Sequence, residues 1–259
     1  MKCPLCQSFK LHPFHRWPRY EVLECCDCCF RFIDTQSKQY PKDAQYCYDE
    51  LEIGKIQPNL PHIRRRIHDI LSYAKPPPGT ALDVGCGKGE VSLALASHGF
   101  QCAGIDMKKK VIDHLKEHHP EVSWRCAMTD ELQEEGQIFD IITMYHVLEH
   151  ISNPVECLTK ITKLLRPGGL TVIEVPNMGG LEARLKGPKW HYYKVDHVNY
   201  FRPPDLRRVG DLSGLEFLGM KGYQHFSHPQ DVRWKDFIKG GMARLGFQDV
   251  ISMFFRMPA

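Results

Sequence analysis

From Thr80 onward, short apolar runs alternate with stretches of helical spacing. Ala81–Val84 reads as a strand, Glu90–Ser97 as a helix, Cys102–Ile105 as a strand and Lys108–Glu117 as a helix. Strands follow at Val122–Cys126 and Phe139–Thr143, then a helix at Val155–Leu165, with Asn153 as its cap and Pro154 in its first turn. Arg166-Pro-Gly-Gly169 reads as a turn and Leu170–Val175 as a strand; residues 176–204 are irregular. Leu206–Leu212 and Asp231–Leu245 have helical spacing, while Phe217–Phe226 and Val250–Arg256 read as strands. This alternation predicts an α/β fold with a doubly wound, mostly parallel sheet of seven strands over residues 79–259.

The first 40 residues show little helical periodicity. Tyr20–Cys25 alternates like a short strand and Phe30–Phe32 like its return. Residues 41–78 read as a linker that turns helical near Ile63–Tyr73, before Pro76-Pro-Pro-Gly79 stops the helix.

The 42% hydrophobic and 25% charged content over 259 residues fits a globular chain. No apolar run approaches the ~18 residues that span a bilayer. The start, Met1-Lys-Cys-Pro4, has no signal-peptide core, so a cytoplasmic protein with no membrane partner is expected. A net charge of +3 does not by itself predict nucleic-acid binding.

Of 11 cysteines, six fall within the first 29 residues. Cys3-x2-Cys6 and Cys25-x2-Cys28 stand 18 residues apart, the spacing of a zinc ribbon in which each knuckle gives two thiolates to a tetrahedral, structural Zn2+. Cys26 and Cys29 form a second possible pair, but Cys25 and Cys28 are preferred, because Cys29 then takes the position after the knuckle that a glycine often occupies. Residues 1–40 carry six Lys or Arg against four Asp or Glu. A four-thiolate zinc centre adds −2, so the module is near neutral and a poor match for phosphate backbones. Arg64-Arg65-Arg66 is the one tight basic cluster and reads as a solvated helix face.

Asp83-Val-Gly85-Cys86-Gly87-Lys-Gly89 is the strongest motif. A strand runs into a glycine-rich turn that opens a helix, where backbone N–H groups are available to a ligand. Asp106, 17 residues beyond Gly89, ends the next strand, where a carboxylate can accept from both hydroxyls of a ribose. A phosphate loop of the Gly-x4-Gly-Lys-Ser/Thr type is absent. The glycine spacing also departs from the Gly-x-Gly-x-x-Gly of dinucleotide-binding dehydrogenases.

"ALDVGCGKG", "GIDM", "FDIITMYHVLEHISNP" and "LLRPGGLTVIEVPN", in this order, resemble the successive motifs of class I S-adenosylmethionine-dependent methyltransferases. The resemblance covers roughly residues 79–256 and implies a Rossmann-like sheet. It implies that Asp83, Gly85, Cys86 and Gly87 lie at the amino-acid part of S-adenosylmethionine and that Gly89 lets helix and strand pack closely. Asp106 would hold the ribose, and Met107 and Met128 would lie by the adenine, at a place where the family usually has an acid. Tyr145 and His146 would stand beside the methyl group.

His146-Val-Leu-Glu149-His150 matches an inverted zinc-peptidase pattern, but no continuous helix aims both histidines at one metal. The segment also resembles quinone-pathway O-methyltransferases that hold a divalent metal nearby, with His146 where those enzymes have a carboxylate. Lys194-Val-Asp196-His197-Val-Asn-Tyr-Phe201 resembles the substrate-covering segment of small-molecule and sugar methyltransferases. Histidine suits proton removal near neutral pH. His197 is therefore the expected base, oriented by Asp196, with His146 a further catalytic candidate and His191, Tyr192 and Tyr193 lining the acceptor pocket. A packing role for His197 is the alternative.

The expected activity is methyl transfer from S-adenosylmethionine to a small-molecule acceptor, a sugar, nucleotide sugar or other biosynthetic intermediate, on oxygen before carbon, with the ribbon supporting the cleft or a subunit contact. The rivals are an RNA methyltransferase guided by the ribbon and a non-catalytic zinc-ribbon adaptor. Acceptor identity and oligomeric state are not encoded legibly.

Overall fold

A computed structural model of the chain describes residues 1–38, 40–41, 56–131, 138–223 and 248–259. Strands β1 (Leu11–Arg16), β2 (Glu21–Cys25) and β3 (Arg31–Ile33) precede helix α1 (Pro61–Tyr73). The alternating part runs β4 (Gly79–Val84), α2 (Glu90–Ser97), β5 (Phe100–Asp106), α3 (Lys109–His118), β6 (Ser123–Cys126), β7 (Phe139–Tyr145), α4 (Pro154–Thr162) and β8 (Leu165–Pro176). It ends with α5 (Leu181–Lys186), β9 (Asn199–Tyr200), α6 (Pro203–Leu212), β10 (Glu216–Tyr223) and β11 (Val250–Arg256).

Seven strands form one sheet in the order β10-β11-β8-β7-β4-β5-β6, parallel except where β11 runs against β8 and β10. Its strands read as continuous apolar runs because both faces are covered. Successive residues go to opposite layers: Ala81, Ile141, Val172 and Phe254 pack with α1, α2 and α3, while Leu82, Ile142, Ile173 and Phe255 pack with α4 and α6. The expected turn at Arg166–Gly169 sits inside β8. Phe139 pairs with Leu165 but Ile141 with Leu170, so the intervening residues loop out of the ladder. The expected helix at 231–245 and the end of the 217–226 strand lie outside the described residues.

The N-terminal strands form a second sheet, β1-β2-β3-β9. The periodicity misses β1 because Pro13 interrupts it, at a shift of register on an edge strand. It also misses β9, which exists only by pairing with β3, Arg31 opposite Tyr200 and Phe32 opposite Asn199. The module therefore shares its core with the larger unit, Phe30 and Phe32 packing with Phe201 and Leu206. No helix among the described residues is long and apolar enough to cross a membrane.

Candidate functional site

A cleft opens outside the carboxyl ends of β4, β5 and β7, where neighbouring parallel strands send their connections to opposite faces. One wall is the glycine loop. Gly85 has φ 68° and its missing Cβ would lie 2.4 Å from Val147 Cγ2; Gly89 has φ 74° and a Cβ there would come within 2.5 Å of the Trp124 ring. Only glycine meets both demands without strain, and Gly89 brings α2 down onto the sheet as expected. The Gly87 amide donates to Asp106 Oδ2 and the Lys108 amide to Oδ1, each at 2.9 Å. Asp106 thus ties the loop to β5 while facing the cleft, and it keeps lone pairs for further donors. Met107 and Met128 complete this wall.

Two residues of the loop turn away from the cleft. Asp83 is buried beneath it, where Thr143 Oγ1 donates to Oδ1 at 2.7 Å and Ser92 Oγ to Oδ2 at 3.0 Å. Burial raises its carboxyl to about 6, against the pull of those two hydroxyls. Cys86 is also buried, its Sγ close to where a Cβ on Gly104 would stand. Asp83 and Cys86 shape the loop from below rather than lining the cleft.

The opposite wall follows β7. His146, at a left-handed φ of 56°, faces two buried carboxylates, with Nδ1 3.3 Å from Glu149 Oε1 and Nε2 3.5 Å from Glu174 Oε1. Burial opposes its charge, but these hydrogen bonds and charges prevail and raise its pKa to about 9. At neutral pH His146 is an imidazolium without a basic lone pair. Glu174 is held well below the ordinary carboxylate range despite its burial, because Arg66 pairs with it directly, His146 faces it and Ser252 Oγ donates at 2.6 Å; Arg65 Nη2 also approaches to 3.3 Å. In the basic cluster of α1 Arg64 is exposed, but Arg65 and Arg66 turn inward: Arg66 passes over the Tyr145 ring, 4.2 Å from its centroid, to reach Glu174. Tyr145 packs under Arg66 and is not among the cleft-lining residues. The signal for Glu174 was an acid inside the apolar run Leu170–Val175.

His150 lines the cleft and its extension over Asn153 and Cys157. Its Nδ1 lies 2.8 Å from the Asp196 carbonyl oxygen and 3.9 Å from the Asp196 carboxylate. Asp196 thus contacts His150, while its charge also bears on His197. His197 is 7% exposed, stands edge-on to His150 at 4.8 Å between centroids and stacks on Tyr192. Burial lowers its pKa to about 4, outweighing the Glu149 charge. One potential ligand atom each from Glu149, His150 and His197 falls within a 4.8 Å cluster. Trp190, Tyr192, Tyr193 and Tyr200 are buried with Tyr20 and Val22 of the module, while His191 stays exposed.

At the module, one knuckle repeats the other. Cys3 N donates to Ser8 O and Gln7 N to Cys3 O; Cys25 N donates to Phe30 O and Cys29 N to Cys25 O. Gln7 and Cys29, the residues after each pair, both adopt left-handed φ. The sulfurs of Cys3, Cys6, Cys25 and Cys28 gather within 4.8 Å, with Cys3–Cys28 at 3.7 Å and Cys6–Cys25 at 3.4 Å. Four sulfurs at ~2.3 Å from a tetrahedral zinc lie about 3.8 Å apart, so these residues fit that ion. Although burial opposes it, the amides of Cys28 and Asp27 lower the Cys25 thiol to about 7, whereas burial pushes the Cys3 thiol up to about 11 and the Cys28 thiol up as well. Cys26 and Cys29 are exposed, and Cys26 Sγ lies 3.4 Å from His12 Nδ1 instead.

A family model described as a methyltransferase domain matches residues 59–218. The chain is 30% identical over 159 residues to a ubiquinone biosynthesis O-methyltransferase of Coxiella burnetii, covering 57% of this chain and 67% of that one. A protein of the same name from Methylococcus capsulatus is 31% identical over 156 residues, covering 55% and 65%. The chain spans about two thirds of the length of these relatives. Among solved structures, the N-methyltransferase NodS of Bradyrhizobium japonicum, in complex with S-adenosyl-L-homocysteine, matches with a TM-score of 0.54 at 17% identity, covering 80% of this chain and 95% of that one. The CcbJ methyltransferase of Streptomyces caelestis matches at 0.55 and 17%, covering 76% and 89%.

Proposed function

We propose, from the premise that this chain belongs to the methyltransferase-domain family and is an S-adenosylmethionine-dependent enzyme, that it methylates a small biosynthetic acceptor on oxygen. The observation that carries this reading is the clasp of Asp106 on the Gly87 amide at the mouth of the cleft, which supports a ribose site joined to a glycine loop. When bound, the cofactor supplies a methyl group on sulfonium sulfur, which leaves without help from an acid. The chain must then hold the cofactor, align an acceptor oxygen, exclude water and take a proton. Asp106, Gly85 and Gly87 hold, Met107 and Met128 flank, and the wall from His146 to Ile151 closes the far side. Oxygen is favoured over carbon because the relatives carry O-methyltransferase names.

The charge of the module favours a small acceptor over RNA. Lys10 pairs with Asp27, Arg16 with Glu21 and Arg31 with Glu24, so half of its six basic residues already face acids of the module itself. Zinc on Cys3, Cys6, Cys25 and Cys28 is part of the proposal. A closed four-cysteine site has no open position and holds structure rather than substrate. The test is label transfer: incubation with methyl-labelled S-adenosylmethionine and a fractionated extract, counting small-molecule, RNA and protein fractions. Label in the small-molecule fraction is expected. Label confined to RNA would replace this reading with a ribbon-guided RNA methyltransferase.

A further inference from the structure

The module and the acceptor wall are one construction. Ile33 N donates to Val198 O at 2.9 Å, and β3 pairs with β9 immediately beyond. Tyr20 OH donates to Tyr193 O at 2.8 Å, and Arg31 Nη1 to Tyr193 OH at 3.0 Å. After β9, Arg202 Nη2 donates to the carbonyl of Cys28, a proposed metal ligand, at 2.8 Å, while its fork grips the buried Asp205. The segment from Tyr193 to Arg202 is therefore fastened to the module at both ends. Between the fastenings, the Lys194–Val198 turn presents the Asp196 carbonyl to His150 Nδ1.

A carbonyl oxygen only accepts, so this bond places the His150 proton on Nδ1 and leaves Nε2 as the ring's basic atom. The other histidines of the wall are less suited. His146 stands between two carboxylates that favour its charged form, and His197 is enclosed by Tyr192, Glu149 and His150. Among the charged and titratable groups near His150 are Asp196, Glu149 and His197, and Glu156, Cys157 and Lys160 line the same extension of the cleft.

We infer that the four-cysteine module is a positioning element of the reaction: by fixing the Asp196 carbonyl it sets the tautomer of His150, which takes the acceptor's proton on Nε2. The acceptor O–H proton passes to Nε2 as the oxygen–methyl bond forms. The methyl–sulfur bond breaks with its electron pair left on sulfur, which becomes a neutral thioether. The inference rests on the methyl-transfer and zinc readings above, but its test needs no acceptor.

Three samples of the full chain, labelled with 15N at histidine, decide it: the zinc-loaded protein, the same protein stripped by chelator, and zinc-loaded Arg202→Lys. The lysine keeps a cation for Asp205 but cannot also reach Cys28. The His150 ring signals, assigned by their loss in His150→Gln, should report the Nδ1–H form in the first sample and a mixture of tautomers in the other two. Hydrogen exchange over residues 194–201 should rise at least about tenfold in both, with β5 unchanged. Affinity for S-adenosylhomocysteine should change less than about threefold in Arg202→Lys, because Asp106 and the glycine loop lie across the cleft. The inference falls if His150 keeps the Nδ1–H form in both altered samples. It falls equally if faster exchange is confined to residues before 34, or if S-adenosylhomocysteine binding collapses in Arg202→Lys. If chelation unfolds the whole chain, Arg202→Lys, with its zinc content measured, decides alone. A failure of label transfer, by contrast, would count against the methyl-transfer reading and leave these tautomer and exchange results standing.

Discussion

The groups on the glycine-loop side of the cleft lie close together in the chain: Gly85, Gly87, Asp106 and Met107 fall on two adjacent strand ends and the turns after them. The wall across from them draws on residues far apart in sequence. His146 meets Glu174 of β8, which meets Arg66 of α1 and Ser252 of β11, while His150 meets Asp196 of a turn strapped to β3. The first wall is built mostly from backbone, the second from buried charges. A binding loop can be local because a strand end, a turn and a helix start supply donors without distant partners. A wall that must hold a proton acceptor dry and oriented needs partners from several elements, and each buried charge then demands another.

The contrast can be broken most severely at Glu174. Glu174→Ala leaves Arg66 buried without its carboxylate and should cost about 3–5 kcal/mol of stability, read as a lower urea midpoint. A loss within the range of an exposed site would mean that the network is not what holds this wall. On the other wall, Gly85→Ala meets both Val147 and a left-handed φ, which costs about 1–3 kcal/mol. It should weaken S-adenosylhomocysteine about tenfold to hundredfold in a calorimetric titration, and unchanged affinity would take the loop out of the site.

The next effect is one of pH. His146 has a folded pKa near 9, above its ordinary 6.5. Its contribution to stability is therefore complete below about 6.5 and is lost as pH rises through 9. Wild-type protein should lose stability between pH 7 and 9.5 in denaturant titrations, and His146→Gln should lose less. Equal slopes would remove the ion-paired imidazolium from the account. The mildest effect is expected at Gly87, where a Cβ would meet nothing within 4 Å and only φ 50° opposes a side chain. Gly87→Ala should cost about 1 kcal/mol and weaken the same ligand about fivefold.

The two walls also differ in how far they could be read from residues in order. The seven strands and the glycine loop were legible because apolar period, turn glycines and strand-end acid are local signals. The four cysteines were legible from spacing, and Cys29 does take the left-handed place after its knuckle that a glycine often fills. Arg66 was misread as solvated because nothing near it in sequence announces Glu174, 108 residues away. The resemblance pointed to His197, in the later segment. Only the fold brings the Asp196 carbonyl against the ring of His150, 46 residues earlier. β9 is two residues long and has no pattern of its own, yet it joins the module to the cleft.

The central claim is a division of labour across one cleft, and titration of S-adenosylhomocysteine into wild type, Asp106→Ala and His150→Gln tests it most directly. The account predicts measurable binding to wild type, a loss of at least about tenfold in Asp106→Ala, worth about 1.4 kcal/mol, and affinity within about threefold of wild type in His150→Gln. Equal weakening by both variants, or no binding to wild type, would contradict it.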